Sequence, residues 1–298
     1  MVKTAIVGIG RWGKKLLREM EKISDVSICC YRGNKENLQW IKKYYPNIKI
    51  TTKLTRVLSD KSINSVIIAT NISSHFNLAK KALLSGKNVF LEKPPTTSVS
   101  ELNELIEIAK ANKVLLFIDH IFVYYPIFFK VAQILKKEYP PQVRFKWLKW
   151  GTFDEDLLWN LAYHEVYLAI NLFGTPISIK ILEQNSIKTD LDLVKFKMDF
   201  KKRGRIIKCF FEINRHSPKK IKQIEFVLLK KKLIWEDDFL LQKNKMRKVL
   251  FKSKDKPLTL MCRKFIHKIE NNDRSDPQEK VAKKAIGVIQ RINQLAKR

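Results

Sequence analysis

The sequence predicts an α/β domain over residues 1–120 joined to an α+β domain over residues 121–298, the second with a mostly antiparallel open sheet and helices on one side. Three observations carry this. Short Val/Ile/Leu-rich runs alternate with helical patterns through the first 120 residues, as a parallel sheet covered on both faces requires. The chain opens strand, glycine turn, helix, in TAIVGIG followed by RWGKKLLREM. From residue 143 the pattern changes to long strands without intervening helices. At 298 residues, 45% of them hydrophobic, there is more than one core's worth of sequence, which fits two domains sharing a cleft.

In the opening unit Gly8, Gly10 and Gly13 match G-x-G-x-x-G. The first glycine allows the tight turn, the second lets a pyrophosphate reach the backbone, and the third permits close packing of helix on strand. The pattern lies between a predicted strand and a predicted helix, so it reads as a Rossmann dinucleotide site whose phosphates meet free N–H groups at the helix start, beside Arg11 and Trp12. DVSICCY, INSVIIAT, NVFLE and VLLFID are further strands. NKENLQWIKKYY and SSHFNLAKKALLSG are helices, the latter ended by Gly86. A capping box, Ser98 with Glu101, starts the helix before VLLFID. A dinucleotide fold normally places an acidic residue at the end of the second strand, to bind the ribose hydroxyls. Tyr31 and Arg32 stand there, with Lys35 close by, which favours NADP over NAD; the competing reading of Arg32 is a solvated turn residue.

In the second half, VRFKWLKWG, ISIKILEQNS, DLVKFKMDF, RIIKCFFEINR, KQIEFVLL and MRKVLF read as strands, with KKRGR a hairpin turn at Gly204. LWNLAYHEVYLAINLFG (158–174) reads as one apolar helix carrying Asn160, His164, Tyr167 and Asn171 within about 60° of one another. Leu158, Ala162, Ala169 and Phe173 lie opposite. Trp147, Trp150, Tyr124 and Tyr125 offer rings for stacking on a sugar, although aromatic residues in strands are usually core.

GKNVFLEKPPTTS, in which a strand ends in Glu-Lys-Pro, resembles the signature of the glucose-fructose oxidoreductase and inositol dehydrogenase (Gfo/Idh/MocA) family. IATNISSH, with Thr70, Asn71 and His75, is similar to that family's "ATP…H" block. FIDHIFVYYP, with His120 and Tyr124, is similar to its crossing into the second domain, and PLTLMCRKFIHKIENND to its C-terminal end. The resemblance spans essentially the whole chain. It implies an NAD(P)-dependent oxidoreductase acting on a hydroxyl or ketone of a sugar, sugar phosphate or nucleotide sugar. It also implies self-association through the C-terminal sheet. The family's Asp-x-x-x-His motif falls on Asn160 and His164, so the polar stripe becomes a wall of the active-site cleft and His120, Tyr124 and Tyr167 substrate contacts.

Moving hydride between a carbinol carbon and nicotinamide requires a base on the hydroxyl and a cation for the developing alkoxide. The resemblance assigns His164 as the base and Lys93, placed before Pro94 and Pro95, as the cation, with Glu92 and His75 near the nicotinamide ribose and ring. Two positions depart from the family: Asn160 replaces the aspartate, and Asn71 stands where proline is usual. An amide orients His164 but stabilises no imidazolium by charge. A non-catalytic sensor or scaffold on the same fold is therefore the rival reading.

The formal charge of +30 is spread over both halves, with 20 Lys and Arg against 10 Asp and Glu in residues 1–120 and 39 against 19 thereafter. Lysine far outnumbers arginine and no nucleic-acid motif accompanies it, which favours a solvated basic surface over a nucleic-acid binder. Cys29, Cys30, Cys209 and Cys262 have no ligand spacing and the five histidines are scattered, so no metal is expected. No signal peptide is visible and no apolar run is long enough to span a bilayer. A cytoplasmic protein without a membrane partner is expected.

Overall fold

A computed structural model of the protein describes every residue except Arg32, Lys245 and Arg298. The first part of the chain alternates β1 (Lys3–Val7), α1 (Arg11–Met20), β2 (Asp25–Cys30), α2 (Lys35–Tyr44), β3 (Lys49–Thr51) and α3 (Leu54–Ser59). It continues through β4 (Ser65–Ile68), α4 (Ile72–Leu84), β5 (Asn88–Leu91), α5 (Val99–Ala111) and β6 (Leu116–Ile118). The strands pair in the order β3-β2-β1-β4-β5-β6, all parallel. Strand order reverses between β1 and β4, and ligands of such sheets sit at the carboxyl ends of the strands at that switch point. Residues 65–68 and 88–91 are buried at every position and are apolar after the leading Ser65 and Asn88, as strands covered on both faces should be. The Ser98 hydroxyl accepts the Glu101 N–H as the capping box requires. β3 and α3 escaped the sequence reading because one is three residues long and the other is a six-residue helix without a capping side chain.

After a 3₁₀ turn at Ile121–Tyr124 come α6 (Pro126–Lys137), β7 (Gln142–Trp150) and α7 (Tyr163–Phe173). They are followed by β8 (Ser178–Asn185), β9 (Leu193–Lys202), β10 (Arg205–Asn214) and β11 (His216–Val227). β12 (Lys232–Glu236), β13 (Phe239–Lys243) and β14 (Arg247–Lys252) complete the sheet. The order is β14-β13-β12-β11-β7-β10-β9-β8, antiparallel throughout except for β7 beside β10. Arg203 and Gly204 both have positive φ, at 47° and 76°, and so turn β9 into β10 as a two-residue hairpin loop. On the inner face Phe145, Phe211 and Phe196 stack across three neighbouring strands, with centroids 4.6 and 4.5 Å apart. Phe173 of α7 meets Phe200 of β9 at 5.7 Å, so this helix packs on that face. The β12–β13 hairpin went unread because its turn, Asp237-Asp238, carries no glycine.

The chain ends in α8 (Pro257–Glu270) and α9 (Gln278–Ala296). Its two compact units are Met1–Ile121 with Pro257–Lys283, and Phe122–Lys256 with Lys284–Arg298. A single cut at 120/121 therefore follows chain order but not packing. α8 belongs with the parallel sheet because Phe265 lies edge-on to Phe90 at 5.4 Å and tilted on Phe117 at 5.5 Å. All four cysteines are buried free thiols, and burial pushes Cys29 up to about 12. Among the described residues no helix is long and apolar enough to cross a membrane.

Candidate cofactor and catalytic site

The turn from β1 into α1 is built around its three glycines for different reasons. Gly8 has φ 95°, and a Cβ there would lie 2.4 Å from the Ala69 carbonyl oxygen. A Cβ on Gly13 would lie 2.1 Å from the Gly8 carbonyl oxygen, so this glycine sets how closely α1 approaches the strand. Gly10 is different: a Cβ there would meet nothing within 4 Å. Gly10 caps α1 without a side-chain hydrogen bond, no acid lies in the first turn, and the first intrahelical bond is Lys14 N–H to Gly10 O at 3.0 Å. The N–H groups ahead of Lys14 and the positive end of the helix thus face open space beside Arg11, an arrangement that fits a pyrophosphate. Trp12 turns back to the sheet, and its indole N–H donates to Asp119 Oδ2 at 3.0 Å.

The ends of β4, β5 and β6 gather five titratable residues. His75, on α4, is buried; Nδ1 lies 2.8 Å from the Pro94 carbonyl oxygen and Nε2 3.0 Å from that of Thr70. It thereby ties the loop after β4 to the Lys93-Pro94 segment, whose peptide bond is cis. The Thr70 and Ser74 hydroxyls are 2.7 Å apart, and Asn71 caps α4 with its backbone alone. Asn71 in place of the family's proline therefore leaves this helix start intact. Glu92 Oε2 accepts the Lys93 N–H at 3.1 Å. Burial raises the Glu92 pKa well above the carboxylate range, and the neighbouring Asp119 raises it further. Burial lowers both His75 and His120, the latter strongly, and the Lys93 ammonium adds to each shift. Lys93 is thus the cation at the centre of this cluster, flanked by two histidines held neutral.

At the adenosine side, Tyr31 is buried and its hydroxyl is turned into the loop, toward the carbonyls of Gly33 and of Asn34, the latter at 2.7 Å. The phenol hydroxyl thus helps to shape this loop. Arg32, the expected partner of a 2′-phosphate, lies outside the described residues, so the NADP expectation has no geometry behind it.

In the second unit the helix expected over residues 158–174 is interrupted. Leu158–Ala162 form a π turn before α7, and Asp156 starts it by accepting the N–H groups of Leu158 and Trp159 at 2.8 and 2.9 Å. The interval from Asn160 to His164 therefore crosses wider backbone than 3.6 residues per turn, and π turns are frequent at functional sites. Residues 161–170 are buried at every position, Tyr167 stacks on Tyr163 at 6.2 Å, and only Asn160 and Asn171 of the stripe are half-buried. His164 packs edge-on to Phe122 at 4.9 Å and tilted on Trp147 at 5.2 Å.

Two residues here were missed from the sequence. The Lys222 ammonium lies 3.1 Å from the Phe122 ring centroid, 3.4 Å from that of Trp147 and 3.3 Å from Glu165 Oε1. In IKQIEFV, Lys222 shares the period-2 face of Ile224 and Phe226, and a lysine at a core position was the available signal. Tyr125 joins this group through Phe122 at 5.5 Å and Trp235 at 5.7 Å, while Tyr124 is half-buried on the 3₁₀ turn. Trp150 is 55% exposed on the opposite face, beside His216, and is not part of it. Among the described residues no three His, Cys, Asp or Glu side chains are grouped to hold a metal ion.

The family model for GFO_IDH_MocA, described as an oxidoreductase family with an NAD-binding Rossmann fold, matches residues 2–120. This part of the chain is similar to the NAD-binding domain of the Gfo/Idh/MocA oxidoreductase family. Among its relatives, the Oxidoreductase P35 of Formosa agariphila is 36% identical over 150 residues, 44% of this chain and 47% of that one. The scyllo-inositol 2-dehydrogenase (NADP(+)) of Bacillus subtilis is 22% identical over 183 residues, 56% of this chain and 51% of that one. The chain spans about half the length of the curated relatives it matches. Solved structures extend the fold likeness to the whole chain. The UDP-N-acetylglucosamine 3-dehydrogenase of Acidithiobacillus ferrooxidans superposes with a TM-score of 0.86 at 17% identity, over 98% of this chain and 97% of that one. The biliverdin reductase of Synechocystis, solved with biliverdin and NADP+, gives 0.82 at 15% identity, over 99% and 98%.

Proposed function

We propose that the protein is a cytoplasmic NAD(P)-dependent oxidoreductase acting on a hydroxyl or ketone carbon of a sugar, sugar phosphate or nucleotide sugar. The observation that carries this reading is the first unit's juxtaposition of an uncapped helix start at Gly10 with a strand-end ammonium, Lys93, among buried Glu92, His75 and His120. A nicotinamide held at this site would supply the hydride acceptor or donor. Lys93 supplies the positive charge for the alkoxide, His164 takes the hydroxyl proton or returns it, and Asn160 orients His164. Thr70, His75 and Glu92 line the nicotinamide end, and Arg11 with the free N–H groups of α1 holds the phosphates. His120, Tyr124 and Tyr167 are assigned to the substrate by the family resemblance. A basic surface attracts phosphorylated sugars, and the inositol and nucleotide-sugar dehydrogenases among the similar proteins support the class. Self-association is assigned to the outer face of the eight-stranded sheet, where Arg144–Glu225, Lys146–Glu212 and Lys195–Glu183 form a ladder of ion pairs. Sedimentation at low and high salt tests that assignment.

Titration with NADPH and with NADH, followed by nicotinamide fluorescence, tests the reading directly, and failure to bind either ends it. Lys93→Ala and His164→Ala are expected to lower turnover with little change in cofactor affinity. The second reading, a non-catalytic binding protein, is favoured by Asn160 alone. A gain in turnover in Asn160→Asp supports a weakened enzyme, and silence of both proteins across a broad alcohol panel supports the binding protein.

A further inference from the structure

β5 and β6 run parallel with Leu91 beside Ile118, and each strand continues by one acidic residue, Glu92 and Asp119. The ladder extends to them, because Asp119 N–H donates to Leu91 O at 2.8 Å and Glu92 N–H to Ile68 O at 3.0 Å. The two carboxyls are therefore neighbours on one face of the sheet, and both are buried. Each has one oxygen in use: Glu92 Oε2 accepts from the Lys93 N–H, and Asp119 Oδ2 from the Trp12 indole. The other two oxygens, Glu92 Oε1 and Asp119 Oδ1, are buried without a hydrogen-bond partner. Two adjoining acceptors that both lack a donor are what remains when a bridging proton is left out, since neither carboxylate has a hydrogen of its own.

We propose that Glu92 and Asp119 hold one proton between them, as a singly charged acid–carboxylate pair. Asp119 is a positioning residue in it, fixing Glu92 on one side and Trp12 of the glycine loop on the other. The pair is the counter-charge of the Lys93 ammonium, so the strand-end cluster stays near neutrality inside the protein. Burial and the mutual repulsion of two carboxylates both favour retention of the proton, in agreement with the raised pKa of each. The other titratable groups beside the pair are Cys262 of α8, which both carboxyls act on, and His120, which follows Asp119 in the chain. His120 is held neutral and so adds no cation, and burial keeps the Cys262 thiol protonated, so it adds no anion.

The test uses this chain without cofactor, so its failure is separate from failure of the oxidoreductase reading. Infrared difference spectra at neutral pH, wild type minus Asp119→Asn and wild type minus Glu92→Gln, are expected each to contain the C=O stretch of one protonated carboxylic acid. Loss of that band in either variant alone follows because the proton belongs to the pair. Absence of the band from both differences shows two ionised carboxylates and overturns the proposal. A second measurement covers a folding defect. Each single amide reproduces the protonated partner, with its oxygen accepting from Trp12 or Lys93 N–H and its nitrogen donating across the pair. Each single variant should therefore unfold at a denaturant concentration near wild type at neutral pH, whereas the double variant sets two amides face to face and loses more than the sum. Additive losses would overturn the shared proton as well.

Discussion

Arg215 donates its Nε–H to Asp192 Oδ1 at 2.9 Å in a pair that is almost fully buried. Both partners are saturated. Asp192 Oδ2 also accepts the N–H groups of Ile187 at 2.8 Å and Thr189 at 2.9 Å, and the guanidinium reaches the carbonyls of Thr152 and Leu191, each at 2.9 Å. Burial pushes the Asp192 pKa up, but these hydrogen bonds outweigh it and hold the carboxyl well below its ordinary range. The pair fastens three loops at one end of the eight-stranded sheet. Arg215→Ala leaves the carboxylate buried and uncompensated, so urea unfolding should show a loss of about 3–5 kcal/mol. Arg215→Lys should not restore it, because an ammonium cannot reproduce the forked contacts.

Lys222 is the corresponding case beneath His164. Lys222→Met removes the cation from between Phe122 and Trp147 and strands the Glu165 carboxylate, which has no hydrogen-bond partner of its own. The expected cost at neutral pH is about 3–5 kcal/mol. Burial already raises the Glu165 pKa and Lys222 lowers it, so the variant holds its proton to higher pH. The deficit should therefore shrink as pH falls and the carboxyl becomes neutral. Adding Glu165→Gln should recover most of the stability; a deficit independent of pH and unchanged in the double variant would show that Lys222 acts by packing alone.

The parts legible in the sequence are those fixed by local rules. Gly8, Gly10 and Gly13 announced the strand-turn-helix, the Val/Ile/Leu runs announced a parallel sheet, and Gly204 marked the β9–β10 hairpin. Features that depend on distant residues were hidden. Asp119 reads as an ordinary acid at a strand end until β5 places Glu92 beside it. The π turn at Leu158–Ala162 has no periodic signature, because its apolar residues fit an α-helix equally well. Phe265 belongs to the first unit through rings about 150 residues or more away in the chain, which no window of sequence contains.

The glycines allow folding and binding to be separated. Gly13→Ala pushes a Cβ to within 2.1 Å of the Gly8 carbonyl oxygen, so α1 must shift; a loss of about 1–3 kcal/mol in stability is expected. Gly10→Ala meets nothing in the protein and has φ −80°, so stability should change by less than about 1 kcal/mol. Its new methyl stands where the pyrophosphate would approach, and the NADPH dissociation constant should rise about tenfold or more, equivalent to about 1.4 kcal/mol. Unchanged affinity in Gly10→Ala would remove the phosphates from this helix start.

Stability should fall as the medium leaves the acid range, through the start of α9. Burial raises Glu279 to about 7, with a further push from Asp276 and an opposing pull from Lys110 and Lys283. Asp276 is itself raised to about 6 by burial, although its oxygens accept the N–H groups of Gln278 and Ile118. In the unfolded chain these groups titrate near their ordinary 4.5 and 3.8. Between those values and the folded ones the native protein binds more protons, so their contribution is fully present below about pH 4 and is lost as pH rises through about 6 and 7. Glu279→Gln keeps a neutral side chain at every pH. Its unfolding midpoint should match wild type near pH 4, exceed it increasingly up to about pH 7, and run parallel above that. A difference that stays flat from pH 4 to 8 would show that Glu279 titrates in the folded protein as it does in water.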